Sequence, residues 1–493
     1  MTDKMAPLEA AAPDASEAVP QPQPEKVKDP NVVDFDGPDD PENPMNWSTP
    51  KKTAAIALVA VMTLLSPVGS TISSAAAPEI MAYFDSDSET VDALVTTIFI
   101  LGYALGPLLI APLSELYGRA ILYKVCIVLF VATNAACAAA PSLASLVVFR
   151  LLAGIMGSCP VTLGAGTVAD MIPAERRAGA MSAYVLGGVL GPSIGPICGG
   201  YLTPAAGWRW VFWFMAIISA PVALVTLVFA RESYPYVLLK HKTARLRRET
   251  GNEALRSALD LGLPPKALFL RSISRPLRML TSPVVFALSL YVAVVYSYLY
   301  LCFTTFPRVF GDQYGFDSRS SGLATLGLAI GSILGIALCA AVIDRLSAML
   351  ARRHGGDLQP EYRLPTMALG GLLVPIGLFW YGWSAEAQTH WIMPIIGSGF
   401  IAGGMMMTFM ASSMYLVDAF TVHAASVTAA ATIFRCLCGG LLPLIGNAMH
   451  ESLGVGWASS VLGFVAVAFM PLPVLFYVYG RRIREAKRFQ MEF

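Results

Sequence analysis

Twelve apolar stretches dominate this sequence, each long enough for the roughly 20 residues that a helix needs to cross a bilayer. They occupy residues 54–78, 93–113, 121–140, 142–169, 179–202, 210–230, 283–306, 322–343, 365–383, 391–417, 424–448 and 456–479. In lipid, backbone donors and acceptors have no water to bond, so lone apolar segments of this length are confined to helices. Six stretches precede a long polar connection and six follow it. The expectation is an all-α polytopic membrane protein with two six-helix halves, residues 51–230 and 283–480. Composition agrees, since only 14% of the 493 residues are charged, against about 25% in soluble chains.

Charge placement sets the orientation. The connection 231–282 carries eleven Lys and Arg against four acids, a surplus of seven, and the positive-inside rule makes it a basic cytosolic linker. The loop after the first span holds Glu79, Asp85, Asp87, Glu89 and Asp92 with no basic residue, so it faces out. Both termini are then cytosolic, including the basic tail 481–493. Residues 1–50 are rich in Pro, Ala, Asp and Glu and read as a disordered tail rather than a signal peptide. That tail closes on DPENPMNWSTPKK, with Trp47 as an interfacial anchor and Lys51 and Lys52 as a cytosolic flag. All eight cysteines fall in apolar runs without ligand spacing, which predicts reduced core residues and no metal site. A net charge of +1 speaks against nucleic acid as a partner.

A charge inside a span costs about 2.5 to 3.5 kcal/mol even on the lenient insertion scale, so each one is a functional candidate. Away from the span ends there are two, Arg150 and Arg435. The planar guanidinium fork matches a carboxylate, which points to an anionic small-molecule substrate. The alternative is that backbone carbonyls, with Asn134 and Asn447 as side-chain partners, tie the arginines up for packing. No Asp or Glu lies mid-span, which argues against polyamines. The titratable candidates for a proton partner are peripheral: Glu79, Asp92, Glu115, Asp170, Asp418 and His423. Antiport with protons, facilitated diffusion and anion exchange all stay open. Tyr291, Tyr296, Tyr298, Tyr300 and Phe303, with Met405, Met406, Met407 and Met410, are candidates for the apolar lining of a cavity, or plain packing residues. Ser70, Thr71, Ser73 and Ser74 are its polar counterparts. No nucleophile with a base appears in any span, so neither an enzyme nor a cofactor is expected.

The fifth stretch reads GGVLGPSIGPICGGY. Gly187, Gly191, Gly195 and Gly199 recur every four residues and leave a side-chain-free groove where another helix can pack. Pro192 and Pro196 each remove a ladder donor there, and Gly200 closes the run. The row is either a packing surface or a sliding contact between the halves. A weak repeat joins PLSELYGRAILYK after span 2 to AVIDRLSAMLARR after span 8, placing Glu115 and Arg119 opposite Asp344 and Arg345. With Gly118 and Asp418 these form a candidate cytosolic gate. Repeated halves put a substrate site between them near the midplane.

LSELYGR at 113–119, RLLAGIMGS at 150–158, the double Gly-Pro run of span 5, DPENPMNW, GWRWVFW, RESYPYVLLKHKTARLRRETGN, ARRHGGDLQPEYRLP and YLVDAFTVHAASVTAAA together resemble the major facilitator superfamily. Within it they are similar to the fungal twelve-spanner drug:proton antiporters. Glu115 stands where an aspartate is usual and Ala120 where a second basic residue is common. The resemblance implies a plasma-membrane exporter of small organic molecules, with a vacuolar location as the alternative, acting as a monomer and often driven by protons. It also implies a coupling role for Arg150.

Overall fold

The computed structural model describes residues 31–37, 39–173, 176–260, 262, 264–353, 359–420 and 424–485. The first half contains α1 (Thr49–Thr71), α2 (Ala77–Tyr83), α3 (Glu89–Tyr117), α4 (Arg119–Ala138), α5 (Leu143–Met171), α6 (Ala178–Ala206) and α7 (Trp208–Phe229). The connection forms α8 (Pro235–Thr250) and α9 (Pro265–Met279). The second half contains α10 (Pro283–Tyr314), α11 (Ser318–Ala324), α12 (Leu326–Arg353), α13 (Leu364–Glu386), α14 (Ile392–Ala419), α15 (Ala424–Leu441), α16 (Gly446–Phe469) and α17 (Pro471–Glu485). The side carrying the connection is called the linker side below, and the opposite one the far side.

Eleven helical segments among the described residues are long and apolar enough to cross a membrane. The last, Ser426–Gly480, has 55 residues, and a straight helix of that length would span about 80 Å, far beyond the hydrocarbon layer. It folds back at Gly454, whose φ of +77° is a conformation that glycine adopts at little cost. The leg after Gly454 runs along α13. Val455 donates its N–H to Glu386 at the far-side end of α13, and Gly480 lies beside Glu361 at the other end.

Within each half the helices approach backbone to backbone. A Cβ on Gly187 would sit 2.9 Å from the Ala60 carbonyl, and one on Gly191 2.8 Å from Pro67. The glycine row of α6 therefore seats α1. Those four glycines pack inside one half, while Gly200 at the end of the run faces the other half, where a Cβ would strike the Ser318 carbonyl of α11. The defect at Pro196 is repaired across the same contact: the Pro192 carbonyl, left without its i+4 donor, accepts the Thr71 hydroxyl at 2.7 Å. Equivalent glycine contacts join α3 to α5 through Gly102 and α12 to α14 through Gly335, so the repeat is plainer in the packing than in the letters.

The halves meet along two lines. Gly440 of α15 packs on Leu101 of α3, and on the far side the start of α11 packs on α6, with a Gly322 Cβ placed 2.6 Å from the Pro196 carbonyl. Thr325 adds a hydrogen bond to the Ser193 carbonyl at 3.3 Å.

The N-terminal segment corrects the reading of 1–50 as one disordered tail. From residue 31 onward it is docked on the connection, and residues 1–30 lie outside the described residues. Val32–Val33 pairs in parallel with Arg256–Ser257. Asp40 accepts the N–H groups of Asp36 and Glu42 at 2.7 and 2.8 Å and the Lys242 ammonium at 3.2 Å. Those backbone donors, with Lys242, hold its carboxyl below the usual carboxylate range. Glu42 pairs with Arg245 at 3.1 Å, and Lys51 covers the Trp47 ring at 3.9 Å. DPENPMNW and the α8 stretch, read separately in the sequence, are thus one folded unit. Of the C-terminal tail, residues 481–485 are the last turn of α17.

Candidate functional site

The two intramembrane arginines have opposite surroundings. Arg150 of α5 is fully buried. Helix α1 ends at Thr71, which leaves late carbonyls without intrahelical donors. Arg150 serves them: Nη1 donates to Gly69 O at 2.7 Å and Nη2 to Ser70 O at 3.0 Å. Its Nε reaches Val95 O of α3 at 3.0 Å, and Nη2 also donates to Ser73 Oγ at 2.9 Å and Thr96 O at 3.3 Å. Phe99 and Phe212 flank the fork. The cation sits at the negative end of α1, where a positive charge is favoured. Asn134, expected as its partner, instead donates to Phe130 O of its own helix at 2.8 Å.

Arg435 of α15 lies between two rings, its Cζ 4.5 Å from the Tyr296 centroid and 4.6 Å from that of Phe409. Its Nε is buried with no hydrogen-bond partner, and no carboxylate pairs with it among the described residues. Asn447, the expected partner, donates to Asp92 at 3.1 Å. Tyr296 is followed one turn later by Tyr300, with ring centroids 5.1 Å apart, and the Tyr300 hydroxyl meets Ser70 Oγ of α1 at 3.3 Å across the seam. Nearby, the Tyr103 hydroxyl bonds Ser66. The result is a guanidinium held between two rings, its Nε unbonded, close to where the halves face each other.

Tyr291 and Tyr298 lie on the opposite face of α10. They are seven residues apart, and both turn to α16: Tyr291 stacks on Phe469 at 5.7 Å, and Tyr298 donates to Leu462 O at 3.1 Å. The structure gives the seam to Tyr296 and Tyr300 instead. Of the span 1 group, Ser70 and Ser73 serve Arg150, Thr71 repairs α6, and Ser74 Oγ is buried without a partner.

The expected linker-side gate is paired differently from the sequence repeat. Arg119 forms an ion pair with Asp170 at the end of α5. Its structural counterpart is Arg363, which pairs with Asp418 at the end of α14 at 2.5 Å and with Asp344 at 3.8 Å. Arg345, matched to Arg119 by the letters, is exposed. Both networks close within a half. Gly118 has φ +97°, and a side chain there would strike Glu232. That carboxylate, unremarked in the sequence, accepts the N–H groups of Arg119 and Ala120 at 3.0 and 3.1 Å, so a backbone donor occupies the place of the second basic residue. Glu115 accepts the Ser272 hydroxyl of α9 at 2.6 Å. His423 lies outside the described residues.

Ion pairs between the halves appear on the far side. Arg308 of α10 reaches Glu89 of α3 at 3.0 Å and Asp92 at 3.7 Å, with Glu451 at 3.1 Å completing the cluster. Arg308 was missed because α10 runs eight residues past the apolar stretch. The signal was a lone arginine facing an all-acidic loop.

Residues 59–443 match the family described as Major Facilitator Superfamily. The chain belongs to the Major Facilitator Superfamily. Among its relatives, the MFS-type transporter penM of Penicillium rubens is 53% identical over 95% of this chain and 92% of its own. The efflux pump radE of Floropilus chiversii is 43% identical over 95% and 87%. The fold resembles the partially occluded inward open xylose transporter XylE of E. coli, with a TM-score of 0.66 at 15% identity over 87% of this chain and 98% of that one. As a Major Facilitator Superfamily member this chain is a multi-pass membrane transporter and not an enzyme.

Proposed function

We propose that this transporter exports small organic metabolites that join an anionic group to an apolar or aromatic body, with Arg435 as the anion anchor and Tyr296, Tyr300 and Phe409 as the walls. The observation that carries this reading is the bare, partner-free Nε of Arg435 between two rings close to the seam. A guanidinium with no resident anion offers a carboxylate or phenolate a charge-assisted bond in a low-dielectric site. Arg150, saturated by carbonyls, holds α1, α3 and α5 together and does not touch substrate.

On this reading the chain crosses twelve times, with both termini and the linker side in the cytosol, as the positive-inside rule asks. The far side is latched by Arg308, while the linker-side ion pairs stay within their halves, so the conformation described is the one that loads from the cytosol. Release outward requires the latch to open. Asp92 is the coupling group: it bridges Arg308 and Asn447, and its other oxygen, Oδ1, is buried without a partner. A proton taken there from outside cancels its charge on Arg308. Each expelled anion also gains about 2.3 kcal/mol per 100 mV of inside-negative potential.

Flux into inside-out proteoliposomes tests this, using labelled aromatic carboxylates, their neutral amides and polyamines, with and without a pH gradient. Carboxylates move and Arg435→Gln abolishes their preference over amides. Equal transport of amides by wild type and variant overturns the anion reading, and flux indifferent to the gradient selects facilitated export or exchange over antiport.

A further inference from the structure

Helix α9 is the part of the basic connection that touches both halves, packing on α3 and on α15 beside the seam. One polar anchor is the bond from the Ser272 hydroxyl to Glu115 at the end of α3. Pro276 and Met279 are buried under it, whereas Leu270 and Leu277, seven residues apart, are exposed on one face. An amphipathic helix of this kind lies along the headgroup boundary. It is therefore a strap across the linker-side ends of two helices from different halves.

The anchor sits inside the run Arg271-Ser272-Ile273-Ser274-Arg275-Pro276. We infer that Ser274 is a phosphorylation site for an arginine-directed serine kinase, and that its phosphate keeps the strap off the seam. Three observations converge on this segment. Arg271 stands three residues before Ser274, a spacing that a kinase cleft lined with carboxylates reads as a cation. Pro276 has no N–H to give the Ser272 carbonyl, so the helical turn over the site lacks a ladder bond and opens easily into the extended form that a kinase takes. Arg275, next to Ser274, has a buried Nε with no hydrogen-bond partner, so the docked turn holds an unsatisfied donor and is easily released.

In the transfer, Ser274 Oγ attacks the γ-phosphorus of ATP and a new O–P bond forms. The bond from that phosphorus to the β,γ-bridging oxygen breaks, ADP leaves, and the hydroxyl proton passes to the kinase's base. The product carries a charge of about −1.5 to −2 on a serine that is half-buried when α9 is docked. Re-docking would strip water from that phosphate at a cost that the docked helix does not repay. The strap stays released, and α3 and α15 are no longer tied at the linker side.

The test uses the full chain in nanodiscs of phosphatidylcholine and phosphatidylserine, treated with the catalytic subunit of cyclic-AMP-dependent kinase and ATP. Mass spectrometry locates phosphate, and disulfide formation in a Glu115→Cys/Ser272→Cys variant reports docking. Phosphate on Ser274 is expected, with incorporation falling about tenfold in Arg271→Ala and cross-linking falling about tenfold on phosphorylation. Ser274→Ala cross-links equally with or without kinase. No incorporation into the intact chain, phosphate on Ser272 instead, or undiminished cross-linking of the phosphorylated protein each overturns the proposal.

Discussion

Arg150 and Arg435 share a side chain and a place inside an apolar helix, yet Arg150 is fully buried with five hydrogen bonds, whereas Arg435 is half-buried and leaves its Nε bare. The first donates to four backbone carbonyls from two helices and to the Ser73 hydroxyl, which ties it into the architecture. The second is shielded by rings that attract its charge without consuming its donors, which leaves it ready for a ligand. On the proposed reading, donor accounting and burial together, rather than charge, separate the structural arginine from the recognition one.

The largest effect that would break this contrast comes from Arg150. Arg150→Leu strands the Gly69 and Ser70 carbonyls and should cost about 3 kcal/mol or more, seen as a large drop in thermal unfolding temperature in detergent. Arg150→Lys, with three donors, should fall between. Next comes Arg435→Gln, which should lower carboxylate transport at least about tenfold while losing only the cation–π attraction, about 0.5 to 2 kcal/mol of stability. If Arg435→Gln unfolds the protein as readily as Arg150→Leu, the contrast fails.

A smaller effect divides the tyrosines of α10. Tyr298→Phe loses its bond to Leu462 O and should cost about 1 kcal/mol with transport intact. Tyr296→Leu should weaken transport more than stability. The smallest effect concerns a saturated charge outside the membrane. Because Asp40 is held below its ordinary value, its share of the N-terminal docking is complete above that value and is lost as pH falls through the lowered one. Proteolysis of the 31–46 segment should be flat from pH 7 to 5 and rise only below about pH 4.

Both arginines were visible in the sequence as the charges in otherwise apolar spans, and so were the spans and the spacing of the α6 glycines. What separates the two arginines was not visible, because the partners of Arg150 are carbonyls, which every residue has and no letter marks. The tyrosines of α10 divide into two faces by helical period alone, 291 with 298 and 296 with 300. Which face meets the seam depends on α16 and α1, far away in the chain. Glu232 and Arg363 were illegible for the same reason: each acts through a partner more than fifty residues away. The gate repeat fell on the wrong arginine, since Arg363 stands after the α12–α13 loop as Arg119 stands after the α3–α4 turn, while Arg345 lies before that loop and is exposed. Asp40 and Lys242 were both inside quoted motifs, and only folding shows that the two motifs bind each other.

The seating of α1 on the glycines of α6 has a mechanical consequence. Two helices joined at van der Waals distance along four turns transmit torque as one beam, so a tilt imposed at either end is carried through undamped. The contact of α6 with α11 lies near the far edge of that beam and is the natural fulcrum. With a lever of about 27 Å, each degree of rotation about it would move the linker-side ends by about 0.5 Å. A hinge at the edge of the molecule amplifies motion at the opposite mouth while barely disturbing the surface beside the pivot.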